Sequence, residues 1–465
     1  MSSPLELARE VLTGEDAWLV GGAVRDRLLG RETIDVDVAL PGDAKAAARR
    51  IAKLSGGASF RLSGEFGAWR AVGPGHSWHV DLVPLRADDL AADLAGRDFT
   101  INAMAEPLEG GELVDPHGGR EDLEARQLRM VSAGALADDP LRTLRAVRLA
   151  VELGLELEPE TRGAVTANAP GLERVAPERI LGELKRVVSS ERPAHGVELM
   201  DSLDLLGVVL PELAATRGVE QNVFHHADVY GHTLEVLEAV AEIQRDPAAA
   251  GLGDQSEAVA ALLVEPLADE LTRGDAMRFA ALLHDAAKPQ TRGFRPDGRV
   301  TFIGHDAMGA DQARDVLRRL RSSEKLRDYV AGLTRHHLDL GFLVHQRPLD
   351  RRTAWRYLRA TAPYAADVTV FTVADRIATR GKNAEPAIAA HLELAREMLV
   401  LAFADRAAGP QAPLVPGDVL ARELGIAPGP QLGELLARLE EERYAGEVTT
   451  REQAIRRARA LLTHR

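Results

Sequence analysis

The chain has 465 residues and no cysteine. This absence excludes disulfide bonds, thiolate zinc sites and a cysteine nucleophile, and it leaves carboxylates and histidines as the expected metal ligands. The sequence also lacks an uninterrupted apolar run of about 18 residues, which a transmembrane helix needs. Its first residues, MSSPLELARE, have neither the basic segment nor the apolar core of a signal peptide. We therefore expect a soluble, cytoplasmic protein with no membrane partner.

An excess of positive charge is missing as well. The chain has 57 basic and 71 acidic side chains, for a net charge of −14. An acidic total normally argues against a nucleic-acid partner, because proteins that bind polyanions usually carry a basic excess. The charge is unevenly distributed, however: residues 1–290 carry −20 and residues 291–465 carry +6. A nucleic-acid contact is therefore expected in the C-terminal third.

The apolar pattern changes along the chain. The first 130 residues mix short alternating runs with helices, whereas the remainder mostly follows a 3.6-residue period. This change predicts an α+β head followed by a predominantly α-helical remainder. Strands are predicted at 18–20, 34–40 and 78–84, and a long helix from Asp138 to Gly154. Linkers are predicted at 246–254 and 408–417.

The strand predicted over 34–40 contains two neighbouring acids. Period-2 alternation places its apolar residues on one face and Asp35 and Asp37 on the other. Paired carboxylates on a rigid strand are hard ligands that suit Mg²⁺, with a polyphosphate completing its shell. An ordinary solvated strand face has the same pattern. Asp81, on the same face as His79 of the third strand, is either a third carboxylate near the pair or an exposed strand acid.

A glycine turn precedes the acidic strand. Gly21 and Gly22 end the first predicted strand and are followed by Arg25 and Asp26. Glycines allow backbone amides to approach a phosphate, and Arg25 is placed to neutralise one. The turn therefore favours nucleotide binding beside the carboxylate pair.

Four stretches resemble successive motifs of the bacterial tRNA nucleotidyltransferase and poly(A) polymerase family. They are LVGGAVRDRLLGRETIDVDVAL at 19–40, GRDFTINAMA at 96–105, VDPHGGREDL at 114–123 and DDPLRTLRAVRLA at 138–150. The resemblance implies a polymerase-β-like head with a mixed or antiparallel sheet and helices, in which Asp35 and Asp37 hold two Mg²⁺ ions. One ion would activate the 3′-hydroxyl of an RNA, and the other would neutralise departing pyrophosphate.

In this family an acid-acid-x-x-Arg motif is said to replace a template, and Asp138, Asp139 and Arg142 match it. Cytosine and adenine both present an amino donor beside a ring-nitrogen acceptor, which suits a carboxylate and an arginine. Uracil and guanine present the opposite pattern, so the same pair would reject them. The implied partners are the tRNA 3′ end, CTP and ATP. Arg145 and Arg148 continue along the helix and are expected to meet the triphosphate.

By family analogy, Arg97, Asp98 and Asn102 bind ribose and triphosphate. Gly96 stands where many relatives have another arginine, which puts part of that contact in doubt. Only 15 residues separate Asp81 from Arg97, which leaves no room for the long basic loop expected in relatives that add all of CCA. This short connection resembles forms that add CC alone, but a shortened loop without functional consequence is an equal alternative.

The downstream half resembles the HD phosphohydrolase superfamily. FAALLHDAAKP at 279–289 and VADRIATRG at 373–381 match the spacing with which that superfamily delivers its ligands to a divalent metal. The implied ligands are His232, His284, Asp285 and Asp375, and His305 with His336 or His337 are possible ligands of a second metal. This donor set suits Mn²⁺, Ni²⁺, Fe²⁺ or Zn²⁺. A metal-bound water would attack a phosphoester such as a 2′,3′-cyclic phosphate, although packed core histidines have the same pattern.

The resemblance divides the chain into a head at 1–137, a neck with the nucleotide-selecting motif at 138–220, an HD metal-binding domain at 221–380 and a helical tail at 381–465 that contacts tRNA. Three arginine clusters are candidates for tracking tRNA phosphates: Arg314, Arg318, Arg319 and Arg321; Arg351, Arg352, Arg356 and Arg359; and Arg456, Arg457 and Arg459. Two alternatives to the tRNA transferase stay open, a poly(A) polymerase and an HD phosphohydrolase whose head only binds nucleotide.

Overall fold

A computed structural model describes residues 3–31, 35–62, 67–85 and 89–463. Ile34, expected to begin the acidic strand, lies outside these ranges. The chain forms two compact units. The first unit extends to Ser190 and includes Glu198–Val209, and the second comprises Glu191–Val197 and the chain from Leu210 onward.

The first unit is built on a six-stranded sheet. Its strands are β1 (Trp18–Val20), β2 (Asp35–Leu40), β3 (Ala58–Arg61), β4 (Trp69–Val72), β5 (His79–Pro84) and β6 (Ala105–Pro107). Their order is β3-β4-β5-β2-β1-β6, and β2 and β5 are parallel whereas the other neighbours are antiparallel. The predicted mixed sheet is therefore confirmed.

Alternation along β2 explains its position in the middle of the sheet. Val36 and Val38 are almost completely buried and pack in the main apolar core of the head. Asp35 and Asp37 point to the opposite face, as the period of two requires. One side of this strand stabilises the fold, and the other side presents the acids.

Helices and two further short strands complete the first unit. The helices are α1 (Pro4–Val11), α2 (Gly22–Leu28), α3 (Ala44–Ser55), α4 (Leu90–Ala95), α5 (Gly119–Glu124), α6 (Ala135–Asp138), α7 (Leu141–Leu153), α8 (Pro159–Asn168), α9 (Pro177–Val188), α10 (Pro193–Ser202), which crosses the unit boundary, and α11 (Leu206–Val209). The short strands β7 (Gln127–Leu128) and β8 (Glu156–Leu157) pair in parallel.

The long helix predicted from Asp138 begins later than expected. Asp138 ends α6, and α7 begins at Leu141, whose N–H donates to Asp139 Oδ1 at 3.2 Å. The carboxylate therefore caps the helix from a position two residues upstream. The helix ends at Gly154, as predicted, where a φ of +65° favours glycine.

The second unit is mainly helical. Its helices are α12 (Pro211–Ala214), α13 (Val229–Arg245), α14 (Ser256–Leu263), α15 (Arg273–Leu283), α16 (Lys288–Thr291), α17 (His305–Arg319), α18 (Glu324–His336), α19 (Asp339–Leu343), α20 (Arg351–Ala360), α21 (Ala365–Ala378), α22 (Ala384–Ala408), α23 (Gly417–Leu424), α24 (Pro430–Ala445) and α25 (Arg451–Thr463). Two small hairpins pair β9 (Pro266–Ala268) with β10 (Leu271–Thr272) and β11 (Arg292–Phe294) with β12 (Val300–Phe302).

Helices α13, α15 and α21 are apolar on most of their surface, which places them at the centre of the second unit. Helices α23 to α25 share a separate apolar cluster that includes Leu420 and Leu439. Among the helices in the described ranges, none combines the length and apolarity needed to span a bilayer.

Candidate active site and metal centre

Three carboxylates meet on one face of the head sheet. The parallel register of β2 and β5 places Asp37 opposite Asp81 and Asp35 opposite His79. Asp35 is exposed, and its Oδ1 lies 3.0 Å from His79 Nδ1. Asp81 is buried. Because two parallel neighbours bring their acids to the same height, Asp81 joins the predicted pair as a third carboxylate.

The electrostatics of Asp37 show that these acids repel one another. Burial raises the pKa of Asp37, and the charges of Asp81 and Asp35 raise it further, whereas Arg97 and Arg145 oppose the rise. Like charges held this close are stabilised by a cation between them. The carboxylate oxygens of Asp35 and Asp37 are the hard donors that Mg²⁺ prefers, so the residues present fit the expected ions.

Arg70 provides a counter-charge that the sequence did not reveal. It lies on β4 directly opposite Asp81, and its Nε and Nη2 donate to the two carboxylate oxygens at 2.6 and 2.7 Å. The hydrogen bond to Asp81 raises the pKa of Arg70. The alternation of β4 could have indicated which face Arg70 occupies, but its register against β5 comes only from the fold.

The glycine turn lies against the carboxylates as predicted from its sequence. Gly21 has a φ of +66°, and a Cβ there would lie 2.9 Å from Arg97 Nη1 and 3.6 Å from Asp37 Oδ2. Any side chain would therefore fill the space between the arginine and the acid. Gly22 begins α2, with the Arg25 guanidinium over it.

Hydrogen bonds and one ion pair join several predicted nucleotide-binding residues. Arg25 donates to both oxygens of Asp26 and, through Nη1, to Asn102 Oδ1 at 2.6 Å. Asn102 Nδ2 donates to Asp98 Oδ1 at 3.1 Å. Arg145 Nε lies 2.7 Å from Asp98 Oδ2. The network fixes the glycine-turn arginine relative to an arginine of α7.

Asp98 and Arg97 contribute further electrostatic order. Although burial opposes ionisation, Arg145 and the bond from Asn102 lower the pKa of Asp98. Arg97 Nη2 lies 3.0 Å from Asp93 Oδ2. The charges of two guanidinium groups, from Arg97 and Arg145, therefore act on Asp37 against the charge of Asp81.

The proposed base-reading residues lie at the start of α7. Arg142 donates to the carbonyl oxygens of Gly96, Arg97 and Ala135 at 2.9 to 3.2 Å. Three of its N–H groups are thus used, and about two of five remain for a ligand.

The two acids of the motif differ in their surroundings. Asp138 is exposed at the end of α6, whereas Asp139 is half-buried. Asp139 Oδ2 lies 2.8 Å from Arg179 Nη2, on α9. Arg179 was not predicted, because only the fold brings α9 beside this position.

Arg148 is placed differently from the expectation. Its guanidinium is buried and pairs with Glu183 at 2.5 Å and with Glu152 at 3.0 Å. A buried arginine already engaged by two carboxylates stabilises the packing of α7 on α9. This arrangement does not favour the predicted contact between Arg148 and a triphosphate.

The second unit gathers six of the predicted metal ligands around one point. His232, His284 and Asp375 form one triad, and Asp285, His305 and His337 form another. Within each triad the ligand atoms lie within 4.8 Å of one another. Asp285 connects the triads, because its Oδ2 lies 3.2 Å from His284 Nε2 and its Oδ1 lies 3.4 Å from His305 Nε2.

Backbone carbonyls orient three of these histidines. The Nδ1 atoms of His284, His305 and His337 lie 2.6 to 2.9 Å from the carbonyl oxygens of residues 281, 302 and 334. If each Nδ1 carries the proton, each Nε2 lone pair points into the centre, as metal ligation requires. His305 Nε2 and His337 Nε2 then face each other at 3.3 Å. Two facing lone pairs repel unless a cation lies between them.

Burial and charge complete the case for a cation. Within the described ranges, the buried atoms His284 Nε2 and Asp285 Oδ1 have no hydrogen-bond partner. Although burial opposes it, His284 and Lys288 hold the pKa of Asp285 well below its ordinary value. Burial and the neighbouring His284 lower the pKa of His337 to about 4. An ionised carboxylate beside imidazole nitrogens fits one or two divalent transition metals.

The tandem histidines at 336 and 337 separate. His337 enters the centre, whereas His336 Nδ1 lies 2.8 Å from Asp339 Oδ2 and belongs to neither triad. His225 was not predicted as a neighbour of the histidine centre, yet the centroid of its ring lies 4.9 Å from that of His232. Burial lowers the pKa of His225 to about 3. Its position seven residues before His232 is the only signal the sequence offered.

Several predicted RNA-tracking arginines are engaged in ion pairs. In the first cluster, Arg314 pairs with Asp328, Arg318 with Asp315 and Arg319 with Glu212. In the other clusters, Arg352, Arg356 and Arg457 surround the buried carboxylates of Glu441 and Glu442. These contacts stabilise the packing of α20, α24 and α25. Acids of the chain therefore engage six of the arginines that were predicted to track RNA.

Family profiles match most of the chain. The profile described as "Poly A polymerase head domain" matches residues 17–72 and 76–129. "Probable RNA and SrmB- binding site of polymerase A" matches residues 154–216, and "HD domain" matches residues 229–380.

Relatives cover nearly the whole chain. An "A-adding tRNA nucleotidyltransferase" of Deinococcus radiodurans is 39% identical over 444 residues, which are 94% of each chain. A "CC-adding tRNA nucleotidyltransferase" of Thermus thermophilus is 35% identical over 450 residues, 95% of this chain and 93% of the relative. Among solved structures, "The structure of CCA-adding enzyme apo form I" has a TM-score of 0.62 at 20% identity and covers 99% of this chain and 93% of its own. That likeness confirms the fold.

Proposed function

The chain belongs to the tRNA nucleotidyltransferase and poly(A) polymerase family, and we propose that it adds C and/or A to the 3′ end of tRNA from CTP and ATP without a template. The observation that carries this proposal is the meeting of Asp35, Asp37 and Asp81 on one sheet face beside the Gly21 turn. Two Mg²⁺ ions held by Asp35 and Asp37 would supply activation of the 3′-hydroxyl and neutralisation of pyrophosphate.

The chain's own residues position the nucleotide. Arg25, Arg97 and Arg145 place three guanidinium groups around the Gly21 turn, where they would neutralise a triphosphate lying against the backbone amides. Asp98 and Asn102 hold two of these arginines in place, so little rearrangement is needed when the phosphates bind. Preorganised charge of this kind is the main contribution of protein groups to phosphoryl transfer.

Asp139 and Arg142 would read the base. Asp139 accepts a hydrogen bond from the amino group that cytosine and adenine each have, and the remaining N–H groups of Arg142 donate to the neighbouring ring nitrogen. Asp139 is held for this contact by the Leu141 amide and by Arg179. The exposed Asp138 would contribute from the end of α6.

We infer that addition stops after two C residues, because the connection from Asp81 to Arg97 is only 15 residues long. The relatives carry both the CC-adding and the A-adding name and therefore do not decide this point.

The test is to incubate the purified protein with Mg²⁺ and tRNA ending at the discriminator base, with CTP and ATP singly and together. We expect extension by two C residues and no A. Addition of CCA, or of A only to tRNA that already ends in CC, would contradict the CC-specific inference while preserving the transferase proposal. Long A tails would identify a poly(A) polymerase instead.

We further propose that the histidine centre hydrolyses phosphoesters, because the ionised Asp285 of one triad also lies beside His284 of the other. With a divalent transition metal bound, the centre would supply an activated water. Hydrolysis of a 2′,3′-cyclic phosphate would consume one water and break one P–O bond, leaving a phosphomonoester. An RNA oligonucleotide with this end, incubated with protein loaded with Mn²⁺, Ni²⁺, Fe²⁺ or Zn²⁺, tests the proposal. Absence of ring opening with every metal would reject it.

A further inference from the structure

The hairpin formed by β11 and β12 begins directly after α16, which contains Lys288, and ends just before His305. It therefore connects two elements of the histidine centre. In its antiparallel register Arg292 lies opposite Phe302, and Phe294 lies opposite Val300. Directly opposed residues share a face, and so do residues two apart on a strand. These four side chains consequently occupy one face of the hairpin.

The other face contains Gly293 and Thr301. A Cβ on Gly293 would lie 3.3 Å from Thr301 Oγ1, which confirms that these two positions oppose each other. The two faces thus differ sharply in chemistry. One has Gly293 and Thr301 in its strands and arginines at its turn, and the other, which we name the stacking face, consists of Arg292, Phe294, Val300 and Phe302.

The stacking face is continuous with the metal centre at one end. The centroid of the Phe302 ring lies 6.5 Å from that of the His305 ring. Lys288 Nζ lies 5.4 Å from the centre of the Phe302 ring. Lys288 in turn lies 2.6 Å from Asp285, the carboxylate that connects the two triads. An aromatic ring and an ammonium group therefore stand at the edge of the candidate ligand set.

At its other end the stacking face is open. Phe294 is 67% exposed, and Arg292 lies over its ring, with Cζ 5.5 Å from the centroid. Phe294 is opposite Val300, which is two residues from Phe302 on β12, so the two rings are about 7 Å apart along the strand direction. Exposing a phenylalanine to this degree has a hydrophobic cost.

Charge indicates what would cover these rings. Arg292 is the cation of the stacking face and lies 3.8 Å from Glu220. Arg295 and Arg299 follow at the turn on the other face, where Arg299 pairs with Asp297. Exposed aromatic rings interleaved with arginines are the usual means of binding unpaired nucleic acid, since bases stack on the rings and phosphates pair with the cations. An acidic or purely apolar partner would leave one of these two features unused.

We propose that the stacking face binds the last nucleotides of an unpaired RNA strand and delivers the terminal phosphoester to the histidine centre. This inference rests on the proposed phosphohydrolase activity and names its substrate class. Phe302 and Phe294 stack on successive bases, Arg292 pairs with the phosphate between them, and Lys288 receives the terminal phosphate beside Asp285.

The test compares Phe294→Ala with the matched control Phe342→Ala, a phenylalanine that is 65% exposed on α19 and outside the hairpin. Fluorescence anisotropy measures the binding of a labelled single-stranded RNA hexamer with a 3′-phosphate to Mn²⁺-loaded full-length protein. Loss of one base–aromatic stack should raise the Kd about 5- to 100-fold in Phe294→Ala. Phe342→Ala should bind like the parent chain.

An unchanged Kd in Phe294→Ala would overturn the proposal, and an equal loss in both variants would do so too, since it would show only general adhesion to exposed rings. Hydrolysis of bis(p-nitrophenyl) phosphate, which is too small to need the hairpin, should stay equal in the parent and Phe342→Ala. If this ester is not hydrolysed by the parent with any metal, the phosphohydrolase proposal fails, while the anisotropy result still decides whether the stacking face binds RNA.

Discussion

The carboxylate site of the first unit and the histidine centre of the second differ in their ligands, their burial and the origin of their counter-charge. The head site is built on carboxylate oxygens, with Asp35 exposed beside His79 and Asp81 already paired with Arg70. The histidine centre is enclosed, and Lys288 is the cation that lies closest to its Asp285.

This difference teaches how one chain can keep two divalent metals apart. Exposed carboxylates on a strand bind Mg²⁺ weakly enough for it to arrive with a nucleotide, because the ion keeps several waters. Buried imidazoles favour transition metals that stay bound. Selectivity is thus set by ligand type and solvent access.

The largest expected effects are on the two activities, and each should be lost on substitution at its own site. Asp37→Ala should lower nucleotide addition by about 10²- to 10³-fold, because preorganised charge at the reacting phosphate is lost, and should leave hydrolysis of cyclic-phosphate RNA intact. Asp285→Asn should do the reverse and also abolish bound transition metal, as measured by elemental analysis. Loss of both activities in either variant would show that the two sites are not independent.

A smaller effect is expected in thermal stability. Because the pKa of Asp37 is raised in the folded chain, its charge opposes folding. The penalty begins above the ordinary aspartate pKa, is complete above the raised pKa, and disappears when the pH falls below the ordinary pKa. Asp37→Asn should therefore raise the melting temperature of the metal-free protein at pH 7 by about 2 to 4 °C. Calorimetry with and without Mg²⁺ checks this. The parent should gain stability from Mg²⁺, and an equal gain in Asp37→Asn would contradict the assignment of Asp37 as a ligand.

The smallest effect concerns Arg70. Its guanidinium occupies both oxygens of Asp81 and lowers the negative potential beside Asp37. Arg70→Gln should therefore lower the Mg²⁺ concentration for half-maximal addition by about three- to tenfold, and calorimetric titration with Mn²⁺ should show tighter binding. The double variant Arg70→Gln with Asp81→Asn removes both charges and should return to the parental value. Weaker metal binding in Arg70→Gln would indicate that Arg70 instead holds Asp81 in a ligating position.

Sequence reasoning succeeded where the chemistry is local. The alternation of Asp35 and Asp37, the turn at Gly21 and the end of the long helix at Gly154 depend on neighbours in the chain, and the structure places all of them as expected. The family resemblance and the mixed sheet were also confirmed. The roles of individual site residues stay predictions.

Non-local pairing accounts for what could not be predicted. Arg70 faces Asp81 because of strand register. Arg179 of α9 contacts Asp139, although two helices separate them in sequence. The sequence has no signal for either contact. For Arg148 the sequence signal was misleading. Its position on a basic helical edge predicts phosphate contact, but Glu183 of α9 pairs with it in the folded chain. The arginines around Glu441 were misleading for the same reason: charge counting does not reveal internal partners.

The separation in sequence between His232 and Asp375 affects how the protein is made. These two residues, 3.0 Å apart in the folded chain, are 143 positions apart along it. Because domains tend to fold as units during synthesis, the head can close its sheet once β6 has left the ribosome, whereas the histidine centre stays open until α21 emerges. For that interval the nascent chain would display a half-formed set of imidazoles. Metal capture is therefore expected to occur late in biosynthesis, after the head has folded.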